Sequence, residues 1–600
     1  MNSLAYPSKS GPAVGQGRPG KPGAGVESAT VADVIRRNGT DPAIARRAFL
    51  CFGEHRWTHA EYHAEAVRWA QLFLDCRDGD GPLHVGVLLD NVPEYLFALG
   101  GAALSGATIV GINSTRRGTG LGHDLQHTDC RMLVTEPRHL ELLAGVLSQL
   151  GIANRRIVVT RRWDGGEPLP IGVDLDAALA DVERRLGEAF HRDPQVPVEA
   201  STLYCLVFTS GTTAAPKAVN ISHGRMISTG EYVGGLMGVG PEDTGYLPMP
   251  LFHANAQQCG FMPAVLQGAR LGLIGKFSKN QFLSDVRRYG VTYFNYTGKP
   301  LSYVLTTRRQ ADDADNPLRV CYGNEASHLV VAEFAERFGC RVIDGFGASE
   351  GGGGFVRSPE DPPGSVGRPP ENVRVLRPDG SECPPAELDA EGRIQNPEDA
   401  IGEIVNTTGI GKFEGYYKND EATRQRTRGG MYWSGDFGYR DPAGYLYSTG
   451  RALDWICVDG ENFLAKPIEE ALQRHPSIHL ASVYGVADAN AGDRVMAMVV
   501  LAEDFVIDGG ALYDFLVAQA DFSPKWLPTY IRIGRDVPMT PTNKVLLREL
   551  RRQKFRPDAT ADAMLWRERG DTRYRPFTRE DYERVRGEFA AAGREHLLDL

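Results

Sequence analysis

The sequence predicts an α/β protein built from more than one domain. From Val31 onward, short apolar runs alternate with longer segments of helical period, which is typical of strands and helices layered around a mainly parallel sheet. Between residues 359 and 447 the pattern changes to short extended pieces around Gly and Pro, which indicates a small antiparallel unit. After Gly450 the alternation resumes, so we expect a compact C-terminal domain of about 100 to 150 residues there.

Individual elements follow from the apolar runs. Predicted strands of the first region lie at 84–89, 132–135, 157–160, 203–208, 292–296 and 342–343. Residues 97–112 are apolar but shorter than the ~18 residues of a membrane span, and glycines interrupt them, so they predict a buried helix that leads into a strand. In the C-terminal region the periodicity predicts helices at 467–473 and 511–520 and strands at 482–486 and 497–501.

Composition shifts divide the chain into four parts. Residues 1–30 are rich in Gly, Pro and Ser, which predicts a flexible tail and no export signal. The N-terminal domain is expected at 31–450 and the C-terminal domain at 451–570, with a hinge near 450–454. Residues 571–600 are rich in charge and predict a solvated extension.

Length and charge exclude several classes of protein. The 600 residues exceed the ~250 to 300 at which single cores stop growing. A formal net charge of −10 argues against a protein that binds nucleic acid, which needs a concentrated basic surface. The nine cysteines are scattered singly, without zinc-ligand spacing, which favours a reducing compartment and a cytoplasmic location.

The segment YCLVFTSGTTAAPKAV at 204–219 predicts a phosphate-binding turn. An apolar strand runs into hydroxyl side chains and small residues and then reaches Lys217, so hydroxyls, backbone N–H groups and one cation cluster at a strand end. The spacing is not that of a P-loop. The alternative is a Ser/Thr turn that follows a buried strand.

A second segment, DGFGASEGGGG at 344–354, combines an aromatic ring with a carboxylate. It is not a dinucleotide fingerprint, because Glu350 occupies the place of the third glycine and no βαβ unit opens here. Phe346 can stack on a flat ring, and Glu350 can hold Mg²⁺ beside phosphate oxygens. The alternative is a glycine turn with a purely structural role.

Two later segments each carry one chemically useful residue. WSGDFG at 433–438 contains Asp436, a carboxylate suited to the two vicinal hydroxyls of a ribose, and the other signatures of a protein kinase are absent. PMTPTNKVLLR at 538–548 places Lys544 in a turn after a strand. The alternative for Lys544 is a solvated surface lysine.

In this order, the four segments resemble the adenylate-forming superfamily of acyl-CoA synthetases, non-ribosomal peptide adenylation domains and luciferases. The resemblance covers about residues 31–555 and is strongest to bacterial fatty acyl-CoA synthetases of the very-long-chain synthetase and fatty acid transport protein branch. Further segments that carry it are PLFHANA at 250–256, TYFNYTG at 292–298, YGNEAS at 322–327, Gly-Glu-Asn at 460–462 and RYRPFTREDYERV at 573–585. It implies a large N-terminal domain of two sheet-based lobes plus a small β-barrel, followed by a small, mobile α+β C-terminal domain.

The resemblance also implies a reaction and its participants. A carboxylate attacks the α-phosphorus of ATP to give acyl-AMP and pyrophosphate, and the thiolate of coenzyme A then displaces AMP, with Mg²⁺ as the metal. The implied catalytic residues are Lys544, Glu350, Thr209 and His253, with Thr209 and Glu350 at the metal. The implied nucleotide site comprises Thr209, Ser210, Gly211, Thr212, Thr213, Lys217, Asn324, Glu325, Ala326, Asp344, Gly345, Phe346, Gly347, Ala348, Ser349, Asp436 and Arg451. The implied coenzyme A candidates are Gly460 and Glu461. For His253 the alternative is a core histidine that is hydrogen-bonded to backbone.

The resemblance implies that the acyl site borders the strand that follows Glu350. Four glycines there predict open space, because no Cβ projects, and therefore a bulky polycyclic or long-chain apolar acid; the alternative is that they only permit a turn. The candidate acyl residues are Phe252, His253, Asn255, Tyr296, Thr297, Gly351, Gly352, Gly353 and Phe355, of which Phe252, Tyr296 and Phe355 are the expected walls.

Three departures from the superfamily pattern leave other functions open. Leu453 replaces a commonly polar hinge residue, Ala214 and Ala215 replace a flexible glycine, and Asn543 precedes Lys544 where Gly is usual. One alternative is an enzyme that forms acyl-AMP with weak or no transfer to coenzyme A. A second is a non-catalytic nucleotide- or lipid-binding protein. A homodimer is possible in each case, and the expected partners are ATP, a hydrophobic acid and coenzyme A.

Overall fold

The computed structural model describes residues 29–79, 81–163, 169–209, 217–298, 300–324, 326–362, 364–389, 394–451, 455–458, 461–489, 493–502, 505–519, 522–540, 544–591 and 594–598. The strands are β1 Ala48–Phe52, β2 His55–Thr58, β3 His84–Leu88, β4 Thr108–Gly111, β5 Met132–Thr135, β6 Ile157–Val159, β7 Val173–Asp174, β8 Leu203–Thr209, β9 Lys217–Ser222, β10 Thr244–Leu247, β11 Arg270–Leu273, β12 Tyr293–Thr297, β13 Val320–Asn324, β14 Arg341–Phe346, β15 Phe355–Val356, β16 Val373–Leu376, β17 Gly402–Asn406, β18 Tyr432–Arg440, β19 Leu446–Arg451, β20 Trp455–Val458, β21 Glu461–Leu464, β22 Ile478–Ala487, β23 Asp493–Leu501, β24 Tyr530–Gly534, β25 Ala563–Trp566 and β26 Arg575–Pro576. The helices are α1 Val31–Thr40, α2 His59–Cys76, α3 Pro93–Ser105, α4 Gly118–His127, α5 Leu140–Ala144, α6 Leu147–Leu150, α7 Leu175–Leu186, α8 His223–Met237, α9 Met262–Gln267, α10 Phe282–Tyr289, α11 Pro300–Leu305, α12 His328–Phe338, α13 Pro397–Ala400, α14 Asp420–Arg426, α15 Ala465–Gln473, α16 Gly509–Val517, α17 Leu547–Gln553 and α18 Arg579–Ala591. A π-helix spans Asn255–Phe261.

Two large, mainly parallel sheets form the body of the N-terminal domain. One has the strand order β7-β6-β5-β3-β4-β8-β9 and the other β15-β14-β13-β12-β10-β11-β1-β2. Only the pairs β8/β9, β14/β15 and β1/β2 are antiparallel in these sheets. One apolar core runs between the sheets and includes residues of both. The predicted α/β class with two sheet-based lobes is confirmed.

Helices α2 and α3 fill part of this core because glycine permits their close approach. Each residue of α3 is buried, and a Cβ added to Gly101 would lie 2.5 Å from the Cβ of Trp69 on α2. Helix α2 begins with a capping box in which Thr58 and Glu61 satisfy each other's backbone N–H groups. The prediction of a buried helix that enters a strand at 97–112 is confirmed by α3 and β4.

The antiparallel unit predicted after residue 359 is a four-stranded sheet of order β16-β17-β18-β19. The resemblance implied a β-barrel here, whereas in the described part of the chain this sheet has two edges, β16 and β19. Strands β18 and β19 pair so that Asp436 is opposite Arg451. A hairpin of β20 and β21 follows.

The C-terminal domain contains the five-stranded sheet β22-β23-β24-β25-β26, covered by helices. Residues beyond 571 belong to this domain, which corrects the prediction of a solvated extension. Strand β26 pairs with β25, and Val585 and Phe589 of α18 are buried in the domain's core. Most of the charge of α18 lies on its other faces, and Asp581, buried on the same face as Val585 and Phe589, is paired with Arg575, so the average composition hides the buried face. Of the described helices, none combines the length and apolarity that crossing a membrane requires.

Candidate active site

A cavity of about 910 Å³ lies where the ends of several strands meet. Its lining includes residues at the carboxyl ends of β8, β12, β13 and β14, which is where ligands bind in open α/β sheets. The antiparallel unit contributes Asp436, and the C-terminal domain contributes residues of α15 and β22 together with Lys544. Both domains therefore enclose the same cavity.

Most of the residues predicted for the site line this cavity. They are Thr209, Lys217, His253, Asn255, Thr297, Asn324, Ala326, Asp344, Gly345, Phe346, Gly347, Ala348, Ser349, Glu350, Gly351, Gly352, Gly353, Phe355, Asp436 and Lys544. Outside the described residues lie Ser210, Gly211, Thr212, Thr213, Ala214, Ala215, Glu325, Leu453, Gly460 and Asn543. Arg451 and Glu461 are placed only as backbone positions in β19 and β21.

Phe252 and Tyr296 do not line the cavity, which corrects their prediction as acyl walls. Side chains alternate along a strand, so Thr297 at the end of β12 reaches the cavity and Tyr296 points the other way. The Tyr296 hydroxyl donates to Asp344 Oδ2 at 2.7 Å. Phe252 is buried against Gly111, where an added Cβ would lie 3.1 Å from the Phe252 Cβ.

Glu350 forms a polar cluster at one end of the cavity. The carboxylate is 7% exposed, and Tyr416 donates its hydroxyl to Glu350 Oε1 at 2.9 Å. Lys217 lies over the Tyr416 ring, with Nζ 5.3 Å from the ring centroid. Burial lowers the pKa of Lys217, Arg426 lowers it further, and the Glu350 carboxylate opposes both. Tyr416 and Arg426 also line the cavity, and sequence reasoning missed both.

Asp344 connects three parts of the protein around the cavity through hydrogen bonds. Besides the Tyr296 hydroxyl, its Oδ2 accepts the backbone N–H of Ala326 at 3.1 Å. Burial raises the pKa of Asp344 to about 6, and the nearby Arg357 opposes the shift. Asn324 donates to the carbonyl of Gly345 at 2.8 Å, which fixes the backbone next to Phe346.

The glycines after Glu350 do not leave the open space that the sequence predicts. A Cβ added to Gly352 would lie 2.1 Å from Cγ of Tyr432, so the missing side chain admits this ring. Asn406 donates to the carbonyl of Gly352 at 2.8 Å, which holds the segment in place. Gly351 has a φ of +71°, a conformation that favours glycine. These glycines line the cavity as closely packed backbone.

One further side of the cavity, which we call the acyl wall after the role proposed for it below, was not predicted from the sequence. It consists of Thr229, Tyr232 and Val233 of α8, Gln258 and Cys259 of the π-helix, Tyr322 of β13, and Lys412. The residues of α8 recur at i, i+3 and i+4, so one helix face meets the cavity. That spacing is the only signal in the sequence that could have indicated them.

His253 and Lys544 both line the cavity. Burial lowers the pKa of His253 to about 3, and the nearby Lys544 contributes to the shift, so the imidazole is neutral at pH 7. Its Nε2 has no hydrogen-bond partner among the described residues. Lys544 is hydrogen-bonded to Thr540: its N–H donates to Thr540 Oγ1 at 3.0 Å, and its carbonyl accepts from the Thr540 N–H at 2.7 Å.

Comparisons with known proteins agree with this arrangement. The family model of the AMP-binding enzymes matches residues 33–417, and that of the AMP-binding enzyme C-terminal domain matches residues 467–544. The chain is 41% identical over 568 residues to the steroid-22-oyl-CoA synthetase of Rhodococcus jostii (strain RHA1), which covers 93% of this chain and 99% of the relative. It is 42% identical to the medium/long-chain-fatty-acid–CoA ligase FadD17 of Mycobacterium marinum, over 82% of this chain and 90% of the relative.

Solved structures share the fold at lower sequence identity. The anthranilate CoA ligase AuaEII in complex with anthranoyl-AMP matches with a TM-score of 0.73 and 21% identity, over 87% of this chain and 97% of that chain. A benzoate CoA ligase from Burkholderia xenovorans LB400 matches with a TM-score of 0.71 and 18% identity, over 87% of this chain and 100% of that chain. With these matches across both domains, the chain belongs to the AMP-binding enzymes and is an acyl-CoA synthetase that activates a carboxylic acid with ATP and Mg²⁺ through an acyl-adenylate and transfers it to coenzyme A.

Proposed function

We propose that this acyl-CoA synthetase acts on a bulky apolar acid, polycyclic or long-chain. The observation that carries the proposal is the continuity of the cavity, which joins the Glu350 cluster and Lys544 to the acyl wall. The names of the two relatives, a steroid-acyl and a medium/long-chain-fatty-acyl enzyme, agree with an acid of this kind.

ATP occupies the end of the cavity near Glu350 in this proposal. The strand end at Thr209 and Lys217 holds the β- and γ-phosphates, Phe346 stacks on adenine, and Asp436 with Arg451 binds the ribose. Cross-strand pairing of Asp436 with Arg451 supports the last assignment, since paired positions are neighbours. Asp344 acts by positioning, because its carboxylate is engaged by Tyr296 and Ala326.

Glu350 and Thr209 fit a site for Mg²⁺. Both line the cavity and offer oxygen ligands, which this ion prefers, and the Glu350 carboxylate keeps one oxygen for which no hydrogen bond is recorded among the described residues. The metal neutralises phosphate charge when bound. Tyr416 orients the carboxylate through its hydroxyl.

Lys544 stabilises the first transition state. Negative charge accumulates between the attacking carboxylate and the α-phosphate, and a fixed ammonium offsets it without transferring a proton. The neutral His253 adds no competing charge and can donate or accept one hydrogen bond at the carboxylate.

Transfer to coenzyme A requires the C-terminal domain to rotate, which moves Lys544 away and brings Gly460 and Glu461 to the cavity. We further propose a cytoplasmic location, which the eight described cysteines support because none forms a disulfide. Light scattering tests whether the protein forms a homodimer. The acidic net charge supports small-molecule partners over nucleic acid.

The test is an assay of the purified protein with ATP, Mg²⁺ and a panel of fatty, aromatic and polycyclic acids, with and without coenzyme A. Pyrophosphate and thioester, followed by mass spectrometry, should both form with a bulky acid. Acyl-AMP without thioester would favour the adenylation-only enzyme. Absence of turnover across the panel would favour the non-catalytic binding protein and contradict the proposal.

A further inference from the structure

The acyl wall carries two polar side chains that no described residue satisfies. The Lys412 ammonium has no hydrogen-bond or ion-pair partner in the described part of the chain, and its contact is with the Tyr232 ring, 5.8 Å from Nζ to centroid. Gln258 is 6% exposed, and its Nε2 is buried without a partner among these residues. Lys412 is exposed to the solvent that fills the cavity, whereas Gln258 Nε2 is a buried donor without an acceptor, which costs free energy and needs an explanation.

Lys412 is held beside the proposed metal ligand. Its backbone N–H donates to the carbonyl of Gly351 at 2.9 Å, and a Cβ added to Gly351 would lie 3.4 Å from the Cβ of Lys412. The residue after Glu350 is therefore in contact with Lys412. Because Lys412 lies over the Tyr232 ring of α8, an acid whose body lies along α8 in the proposed arrangement would meet this side chain with its apolar body.

Among the described residues, no charged group near Lys412 accepts a hydrogen bond from its ammonium in place of a ligand. Although solvent reaches the side chain through the cavity, the surrounding protein lowers the pKa of Lys412, and Arg225 lowers it further. Glu231 and Cys259 oppose the shift, but neither is in hydrogen-bond contact with Nζ. A hydrocarbon chain in the cavity would remove water from this cation and offer it no acceptor.

We propose that Lys412 and Gln258 select acids whose apolar body carries an oxygen, as a keto, hydroxyl or second carboxyl group, over plain hydrocarbon acids. The inference rests on the proposed function and narrows it, because an oxygenated polycyclic acid satisfies both donors and an unsubstituted fatty acid satisfies neither. Buried polar groups discriminate strongly in this way, since the wrong substrate leaves them unpaired.

The experiment compares kcat/KM for pairs of acids that share a carbon skeleton and differ only in that oxygen, with keto, hydroxyl and carboxyl substituents as separate arms. The wild-type enzyme should prefer at least one oxygenated member by about tenfold or more, as expected for a charge-assisted hydrogen bond. Lys412→Met should reduce this ratio by a similar factor. Lys412→Arg should retain part of the preference, and Gln258→Leu should reduce it to a smaller extent. Lys276→Met, at an exposed lysine outside the cavity, is the matched control and should keep the wild-type ratio.

Two results would overturn the inference while the proposed function stands: equal kcat/KM within each pair for the wild type, or an unchanged ratio in Lys412→Met. If no acid in the panel releases pyrophosphate, the proposed function is overturned, and this inference is overturned with it. If circular dichroism shows that Lys412→Met is unfolded, the ratios of Lys412→Arg and Gln258→Leu decide. The substituent whose kcat/KM preference falls most in the variants shows whether the recognised oxygen is neutral, as in a keto or hydroxyl group, or anionic, as in a carboxylate.

Discussion

Lys544 is the residue on which the first half-reaction depends most. Lys544→Ala should lower the rate of acid-dependent acyl-AMP formation about 10²- to 10³-fold, as expected when one fixed donor to a developing charge is lost. Exchange of labelled pyrophosphate into ATP measures this step alone. Lys525→Ala, in the same domain but outside the cavity lining, is the control. A wild-type exchange rate in Lys544→Ala would contradict the role proposed for the ammonium.

Tyr416 tests the Glu350 cluster through a single hydroxyl. Tyr416→Phe removes the donor to Glu350 Oε1, and kcat/KM for ATP should fall about tenfold because a hydrogen bond to a charged group is lost. Tyr417 is a matched control, since its hydroxyl donates to Asp129, outside the cavity, at 2.6 Å. Tyr417→Phe should leave kcat/KM for ATP unchanged. Equal effects of the two substitutions would contradict the role proposed for the Tyr416 hydroxyl at Glu350.

The glycine segment after Glu350 makes a prediction at the scale of elements, because it connects β14 to β15 and packs against β17 and β18 of the antiparallel unit. Gly352→Ala should destabilise the protein by about 1–3 kcal/mol, since the added methyl group overlaps the Tyr432 ring on β18. Gly353→Ala is the control: its Cβ would meet Asn406 at 3.7 Å, an ordinary contact. Urea denaturation followed by tryptophan fluorescence compares the two. A Gly352→Ala variant as stable as Gly353→Ala would show that the ring moves aside.

The elements and the site differ in how far the sequence predicts them. Strands such as β5 and β8 could be predicted because a buried apolar run needs no information from elsewhere in the chain. Thr209, Glu350 and Asp436 could be predicted because each lies in a short motif of chemically distinctive residue types, although Thr209 ends β8 and Asp436 lies within β18. Tyr432 and Lys412 could not, because their importance lies in contacts with glycines 60 to 80 residues earlier in the chain.

At the scale of the whole molecule, acid should destabilise the N-terminal domain through buried histidines, among them two that lie outside the cavity lining. His59 and His223 begin α2 and α8, and burial lowers their pKa values from 6.5 to about 4 and about 3. His223 Nδ1 accepts the backbone N–H of Val31 at 3.3 Å, so the neutral ring joins α1 to α8. Below pH 6.5 these histidines bind protons in the unfolded chain but not in the folded chain, and the free energy of unfolding therefore falls as the pH falls.

The expected loss is roughly 2 kcal/mol for each histidine at pH 5, relative to a plateau above about pH 7. Urea denaturation at a series of pH values measures it. The double variant His59→Gln/His223→Gln should show a flatter dependence between pH 5 and 7, because the amide side chains do not titrate. His191→Gln, at an exposed histidine paired with Glu183, should keep the wild-type slope. An unchanged slope in the double variant would mean that other groups dominate the loss of stability in acid. Protonation of His223 at the contact between α1 and α8 would then not be what destabilises the domain.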